Sequence, residues 1–272
     1  MKREAFKDIK KVVIKVGTST LSYQNGRLNF QRMEKLAYTM SAIRNKGYQV
    51  VLVSSGAIGV GAGRLGMVEK PKDLSTKQAL AAIGQAQLVK IYQKMFEGYN
   101  QTVAQVLLTK DVMLIKERHT NAQGTLYKLM DMGIIPIVNE NDTISTDEIV
   151  FGDNDTLSAM VATLIDADLL ILLSDIDGLY SADPKTNTNA EIIRSVTEIT
   201  PELEGLADGS GSSFGTGGMI TKISAARITS EAGIDTIITN GDNPEIVFDI
   251  LEGKEIGTHF IACKEKLTLS KN

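Results

Sequence analysis

The 272-residue chain has one cysteine, two histidines and five prolines, and only 5% of it is aromatic. A single thiol, Cys263, excludes any disulfide within the chain and suits a reducing compartment, so a cytoplasmic location is expected. The charged amino terminus, MKREAFKDIKK, lacks the apolar run of a secretory leader, and none is expected. Asp166 and Asp168 interrupt the longest apolar region, so no membrane-spanning helix is expected. Basic residues are dispersed and aromatics few, which argues against a nucleic-acid-binding stripe. The P-loop pattern G-x-x-x-x-G-K-[ST] does not occur. Neither His119 nor His259 shares a motif with a nucleophile, so both read as structural or surface residues. The most localised absence is of positive charge. Residues 129–184 contain no Lys or Arg yet hold twelve of the 33 acids, leaving 21 acids against 29 bases elsewhere. Acidic tails have such compositions, but the apolar runs GIIPIV and DLLILL lie within this stretch and argue for a folded segment. The question is which cations these carboxylates meet.

What is present is an alternation of strands and helices. Apolar, β-branched or leucine-rich runs at 12–17, 48–55, 102–109, 134–140, 169–174 and 235–241 read as strands. Helical patterns at roughly 29–46, 75–97, 118–132, 154–166, 218–232 and 244–252 separate them, each long enough for a crossover. Continuous rather than alternating apolar strands are buried on both faces, so the fold class expected is α/β, an open α/β/α sandwich around a mainly parallel sheet. The chain is expected to form one domain over 1–272 with two lobes on a continuous sheet, about 1–170 and 171–272.

Ligands of such sheets bind beyond the carboxyl ends of the strands. Those ends are small or polar here: Lys15-Val-Gly17-Thr-Ser19, Ser54-Ser55-Gly56, Asn139-Glu-Asn-Asp142 and Ser174-Asp175. Lys15 interrupts a buried strand, where an ammonium is costly unless paired. It is either a lysine snorkelling past an edge or one holding an anion beside Gly17. GTGGMITK (215–222) opens a helix, and free N–H groups there with Lys222 one turn in make a phosphate site. GAGRLG (61–66) matches a dinucleotide fingerprint in letters only, because it does not join a strand directly to its helix. GDND (152–155) includes a helix cap, but one cap needs only one of Asp153, Asn154 and Asp155, and an acid at the sheet mouth can aim lysines at phosphate. DIDGLYSADP (175–184) reads first as turn chemistry and second as a nucleotide contact. Two lysines and a glycine loop without a His base suggest phosphoryl transfer. A carboxylate acceptor, ionised already near neutral pH, needs no base.

VVIKVGTS, VLVSSGAIGVG, IPIVNENDTI, FGDNDTLSA, SDIDGLYSADP and GTGGMITK occur in the order found in the amino acid kinase family, which the chain resembles over about 10–262. The match is nearest to the members that phosphorylate the γ-carboxylate of L-glutamate with ATP at the start of proline synthesis. The resemblance implies that Lys15 and Lys222 flank the moving phosphoryl group and that Asp155 orients them. It implies that Ser55, Asp142 and Asn154 bind glutamate, the acceptor, in the first lobe. Nucleotide contacts would come from Lys15, Ser174, Asp175 and the segment Thr216, Gly217, Gly218, Met219, Ile220, Thr221 and Lys222, with Mg2+ on the phosphates of ATP. Feedback inhibition by proline and a homodimer or homotetramer are implied as well. Many members add a C-terminal domain of the RNA-modification-enzyme type, which a chain ending at Asn272 is expected to lack. Acids beside two anionic substrates then make sense, since they meet the lysines, Mg2+ and the substrate's α-ammonium. A uridylate acceptor would need basic residues in this region, and an N-acetylated one has no ammonium to meet Asp142. Arg64 and Lys77 are near enough in sequence to alter that balance. Kinases of aspartate, carbamate or another small carboxylate, and a non-catalytic nucleotide and amino-acid sensor, are the alternatives. Acceptor competition separates the first group, and loss of a lysine or of the organising acid would mark the second.

Overall fold

The computed structural model describes residues 6, 8–23, 27–67, 71–145, 154–184, 186–208 and 218–263. Among them one eight-stranded sheet runs through the molecule. Its strands are β1 (Lys11–Val16), β2 (Gln49–Ser54), β3 (Val103–Leu108), β4 (Ile135–Glu140), β5 (Leu169–Ser174), β6 (Ser195–Val196), β7 (Asp235–Asn240) and β8 (Thr258–Phe260). Their order is β3-β4-β2-β1-β5-β7-β8-β6. All six long strands are mutually parallel, whereas β8 pairs antiparallel with β7 and β6 runs parallel to β8, so the two short strands oppose the rest. The helices are α1 (Thr18–Leu21), α2 (Phe30–Asn45), α3 (Ala57–Arg64), α4 (Leu74–Glu97), α5 (Lys116–Asp131), α6 (Asn154–Leu164), α7 (Pro201–Asp208), α8 (Met219–Glu231) and α9 (Ile246–Leu251).

The sheet is buried on both faces because alternate residues of each strand feed two separate cores. Val13, Val51, Val138, Leu170 and Ile238 join Leu126 and Met130 of α5, Leu157 and Val161 of α6 and Ile223 of α8 on one face. Val12, Ile14, Leu52, Ile137 and Ile171 join Met33 and Leu36 of α2, Leu88 and Phe96 of α4 and Val247 of α9 on the other. This is the three-layer α/β/α arrangement, each fully buried aliphatic side chain contributing roughly 1.5–3 kcal/mol. The register levels the carboxyl ends: Val16 pairs with Ser54 and Leu173, Val53 with Val138, and Ser174 with Asn240. Polar residues that follow these positions therefore meet along one edge.

The glycine-rich stretch after β2 forms a helix, α3, that lies against α4. A Cβ on Gly61 would stand 2.0 Å from the Leu80 carbonyl oxygen, and one on Gly84 would stand 1.7 Å from that of Ala57. The glycines of GAGRLG thus serve close helix packing, in line with rejecting a dinucleotide loop there. The acids of 129–184 also part company. Asp168 accepts the backbone N–H groups of Lys10 and Lys11, both at 2.8 Å, at the amino end of β1, and Asp166 accepts from Tyr127 at 2.6 Å. Both are structural acids far from the strand mouths, so the acidic stretch serves more than one purpose. No helix among the described residues is long and apolar enough to cross a membrane.

Candidate active site

β1 carries Lys15 to the sheet mouth on the face covered by α6 and α8. There Asp155, the second residue of α6, is fully buried between two lysines. Lys15 Nζ lies 2.6 Å from its Oδ1 and Lys222 Nζ 3.1 Å from its Oδ2. Thr221 Oγ1 stands 2.9 Å from the same Oδ2. Burial alone would raise the Asp155 carboxyl, but the ammonium groups of Lys15 and Lys222 and the hydrogen bonds from Lys15 and Thr221 outweigh it and hold the group well below the usual carboxylate range. Three charges this deeply buried are tolerable only because they are paired. The snorkelling alternative for Lys15 is therefore set aside, since β1 is central and the lysine is 7% exposed.

Lys15 Nζ also stands 3.6 Å from where a Cβ on Gly17 would be. Space and positive charge thus adjoin at the end of β1. Across from it Gly218 precedes α8 without any side-chain cap, which leaves the first N–H groups of that helix open to an anion. Of the anticipated loop, Gly218, Met219, Ile220, Thr221 and Lys222 are placed here, whereas Thr216 and Gly217 lie outside the described residues. Ser174 and Asp175 follow at the end of β5, the Ser174 hydroxyl donating to Asp175 at 3.1 Å.

On the other side of Gly17 the mouth changes character. Asn154 Nδ2 reaches the Ser54 carbonyl at 3.1 Å, Ser55 Oγ at 2.9 Å and Asn139 Oδ1 at 2.8 Å. Asn139 Nδ2 donates in turn to Gln85 Oε1 of α4 at 2.8 Å, and its Oδ1 accepts the Glu140 N–H at 2.9 Å. Asn154 is thus a tie between strand ends, which a helix cap alone would not require. Tyr92 of α4 supports the floor, its hydroxyl 3.0 Å from Ser54 Oγ. Glu140 and Asp142 are both buried here, and Glu140 Oε1 accepts from Ser145 at 2.5 Å. Burial, and then the nearby charge of Glu140, push the Asp142 carboxyl up to about 7. Its enclosed Oδ1 has no hydrogen-bond partner among the described residues.

Ser55, Asp142 and Asn154 therefore gather on one side of the mouth and Lys15, Asp155 and Lys222 at its centre. Ser174 and Asp175 stand at the neighbouring strand end. Sequence reasoning did not single out Gln85 or Tyr92; the available signal was a polar side chain on the core-facing stripe of α4. Arg64 is exposed at the far end of α3, and neither it nor Lys77 contacts a described site residue. His259 is remote too, paired at 2.8 Å with Asp235 at the amino end of β7. His119 is half-buried on α5.

A carboxylate-locked lysine pair beside an uncapped helix start is equipment for anionic group transfer. The chain belongs to the amino acid kinase family, whose model matches residues 10–240. Glutamate 5-kinase of Clostridium perfringens (strain 13 / Type A) is 56% identical over 266 residues, with 96% of this chain and 99% of that protein covered. Glutamate 5-kinase of Listeria monocytogenes serovar 1/2a is 51% identical over 270 residues, covering 98% of each. Among solved structures the fold is similar to UMP kinase from Ureaplasma parvum, with a TM-score of 0.64 at 18% identity over 93% of this chain and 99% of that one. Carbamate kinase from Giardia lamblia bound to AMP-PNP gives 0.65 at 19% identity over 94% and 99%.

Proposed function

We propose that the chain is a glutamate 5-kinase, transferring the γ-phosphoryl group of ATP to the γ-carboxylate of L-glutamate in the first step of proline biosynthesis. The observation that carries it is the buried Asp155 holding Lys15 and Lys222 at 2.6 and 3.1 Å at the sheet mouth, in a chain 56% identical to a glutamate 5-kinase along nearly its whole length. Phosphoryl transfer asks the protein mainly for position and charge. The γ-carboxylate, ionised without a base, attacks the γ-phosphorus in line. The bond from phosphorus to the β,γ-bridging oxygen breaks, and ADP leaves with that electron pair. Lys15 and Lys222 flank the group in flight, and Asp155 holds both ammonium groups in place.

Glutamate lies over Ser55, Asp142 and Asn154, with its ammonium on Asp142, in a lobe of about residues 1–170. ATP lies over Lys15, Ser174, Asp175 and the 216–222 segment, in a lobe of about 171–272. No group of three or more potential metal ligands exists among the described residues, and Asp155 is committed to its lysines. The residues thus fit an Mg2+ that arrives on the nucleotide phosphates rather than one caged by the protein. When bound, it neutralises phosphate charge. Proline also carries an α-ammonium, secondary and within its ring, beside an α-carboxylate, and would compete at the acceptor side. Assembly into a homodimer or homotetramer is part of this reading. The lone Cys263 is free and half-buried, which suits the cytoplasm.

The test is ADP release from Mg-ATP with L-glutamate, aspartate, N-acetylglutamate, carbamate or UMP as acceptor. Release driven by glutamate is expected. Release driven only by another acceptor would retain phosphoryl transfer and overturn the choice of substrate.

A further inference from the structure

Among the described residues, the side chains on the acceptor side of the mouth suit an ammonium more than a carboxylate. Glu140 and Asp142 are acids, and Asn154 turns its nitrogen inward to Ser54, Ser55 and Asn139, which directs its carbonyl the other way. An amino acid carries its α-carboxylate on the same carbon as its ammonium. That carboxylate needs donors close to Asp142, in a region where two anions already stand. Arg64 ends α3, about 10 Å along the axis from the start of that helix, and Lys77 is about 12 Å along α4 from Gln85. Ser55 offers one hydroxyl, and the uncapped start of α3 after Gly56 offers its first backbone N–H groups.

Gln85 adds a side-chain donor. It is 8% exposed, and its Oε1 is fixed by Asn139 Nδ2 at 2.8 Å. With the oxygen committed as acceptor, the sense of the amide is set and Nε2 is the outward atom. Nε2 makes no hydrogen bond among the described residues, nor is it one of the fully enclosed polar atoms without a partner. A side chain this buried that keeps two N–H groups open is placed to donate, since an unsatisfied amide otherwise costs stability.

With glutamate as the acceptor, on which this rests, we propose that Gln85 binds the α-carboxylate of the amino acid through Nε2, and so is a specificity-determining residue for a free α-carboxylate beside a free ammonium. Gln85 and Asp142 divide the recognition: the amide donates to the anion and the carboxylate accepts from the cation. A hydrogen bond to a charged group corresponds to roughly 10–100-fold in affinity.

The experiment compares L-glutamate with its α-carboxamide analogue, L-isoglutamine, as acceptors for wild type, Gln85→Glu and Gln85→Met. Gln85→Glu keeps an acceptor for Asn139 but replaces the donor by an anion. Thermal melts and ATP binding establish that each variant is folded. Wild type is expected to prefer glutamate in kcat/KM, the effect lying in KM. In either variant that preference is expected to fall at least tenfold, and in Gln85→Glu the carboxamide N–H groups gain a partner. Proportional loss on both acceptors in a folded variant, including loss of all turnover, overturns the proposal and leaves Gln85 as a prop for Asn139. An unchanged preference overturns it as well. Failure of wild type to turn over glutamate at all is a different outcome, and refutes the kinase assignment instead.

Discussion

Replacing Asp155 by Asn removes one negative charge and little volume from a site with no solvent to compensate. Asp155 is 0% exposed, and the ammonium groups at 2.6 and 3.1 Å belong to lysines only 7% and 5% exposed. Removing one member of a buried ionic cluster typically costs about 3–5 kcal/mol, because the remaining charge is stranded. Two ammonium groups are stranded here, so the upper part of that range is expected. For a chain of this length each kcal/mol shifts the midpoint by roughly 2–4 °C, so Tm should fall by about 8–20 °C. ATP binding should restore part of that loss, since its phosphates offer the lysines a new counter-charge. The variant should therefore gain more from saturating Mg-ATP than wild type does. Turnover should fall by about 100-fold or more, as befits loss of positioned charge at a transferring phosphoryl group. Differential scanning calorimetry with and without Mg-ATP and ADP release at saturating substrates read these three numbers. A Tm within about 2 °C of wild type together with turnover within threefold would refute the view that Asp155 organises the two lysines.

Asp142 should leave a pH signature. Its carboxyl is raised from 3.8 to about 7 in the folded protein, chiefly by burial. The stability contributed by the protonated form is therefore present below about 4 and lost as pH rises through about 7. Asp142→Asn should flatten that loss and make the ligand-free protein the more stable one at pH 8, while raising the KM for glutamate. For wild type, kcat/KM for glutamate should drop about tenfold per unit below pH 7, because only the ionised acid meets the ammonium. A flat profile between pH 5.5 and 7 would contradict the ammonium role. Gly84→Ala should be disruptive at this buried helix contact, since its Cβ would fall 1.7 Å from the Ala57 carbonyl oxygen. Overpacking of about 1–3 kcal/mol or more is expected, and the displaced α3, which begins just after Ser55, should raise the KM for glutamate more than that for ATP. Equal effects on both, or none, would show that α3–α4 packing does not shape the acceptor side.

The six long strands and the six helices between them are legible in the sequence because each is long enough to display its period or its uniform apolarity. β6 and β8 are not, having two and three residues, too few for a pattern. They join the sheet only because β7 offers an edge to pair with. α3 is hidden for another reason: its glycines read as a loop, and only contact with α4 shows why glycine is needed at Gly61 and Gly84. α7 is missed although Pro201 at its first position is a starting signal. At the site, Lys15 and Asp155 are legible as charges at strand and helix ends where neutral residues belong. Gln85 and Tyr92 are not, since one polar residue on an apolar stripe does not reveal what it faces. The acidic stretch is not a single functional unit. Asp166 and Asp168 lie in it by sequence but bond at the opposite end of the sheet.

The central claim is that a carboxylate-locked lysine pair passes a phosphoryl group to a carboxylate, giving an acyl phosphate. Hydroxylamine converts an acyl phosphate to a hydroxamate, so the decisive measurement is hydroxamate formed per ADP released with L-glutamate, for wild type and for Lys222→Ala. The account predicts one hydroxamate for each ADP in wild type, and both products lost together in the variant while it still binds ATP. ADP without hydroxamate, or undiminished turnover in Lys222→Ala, would contradict it.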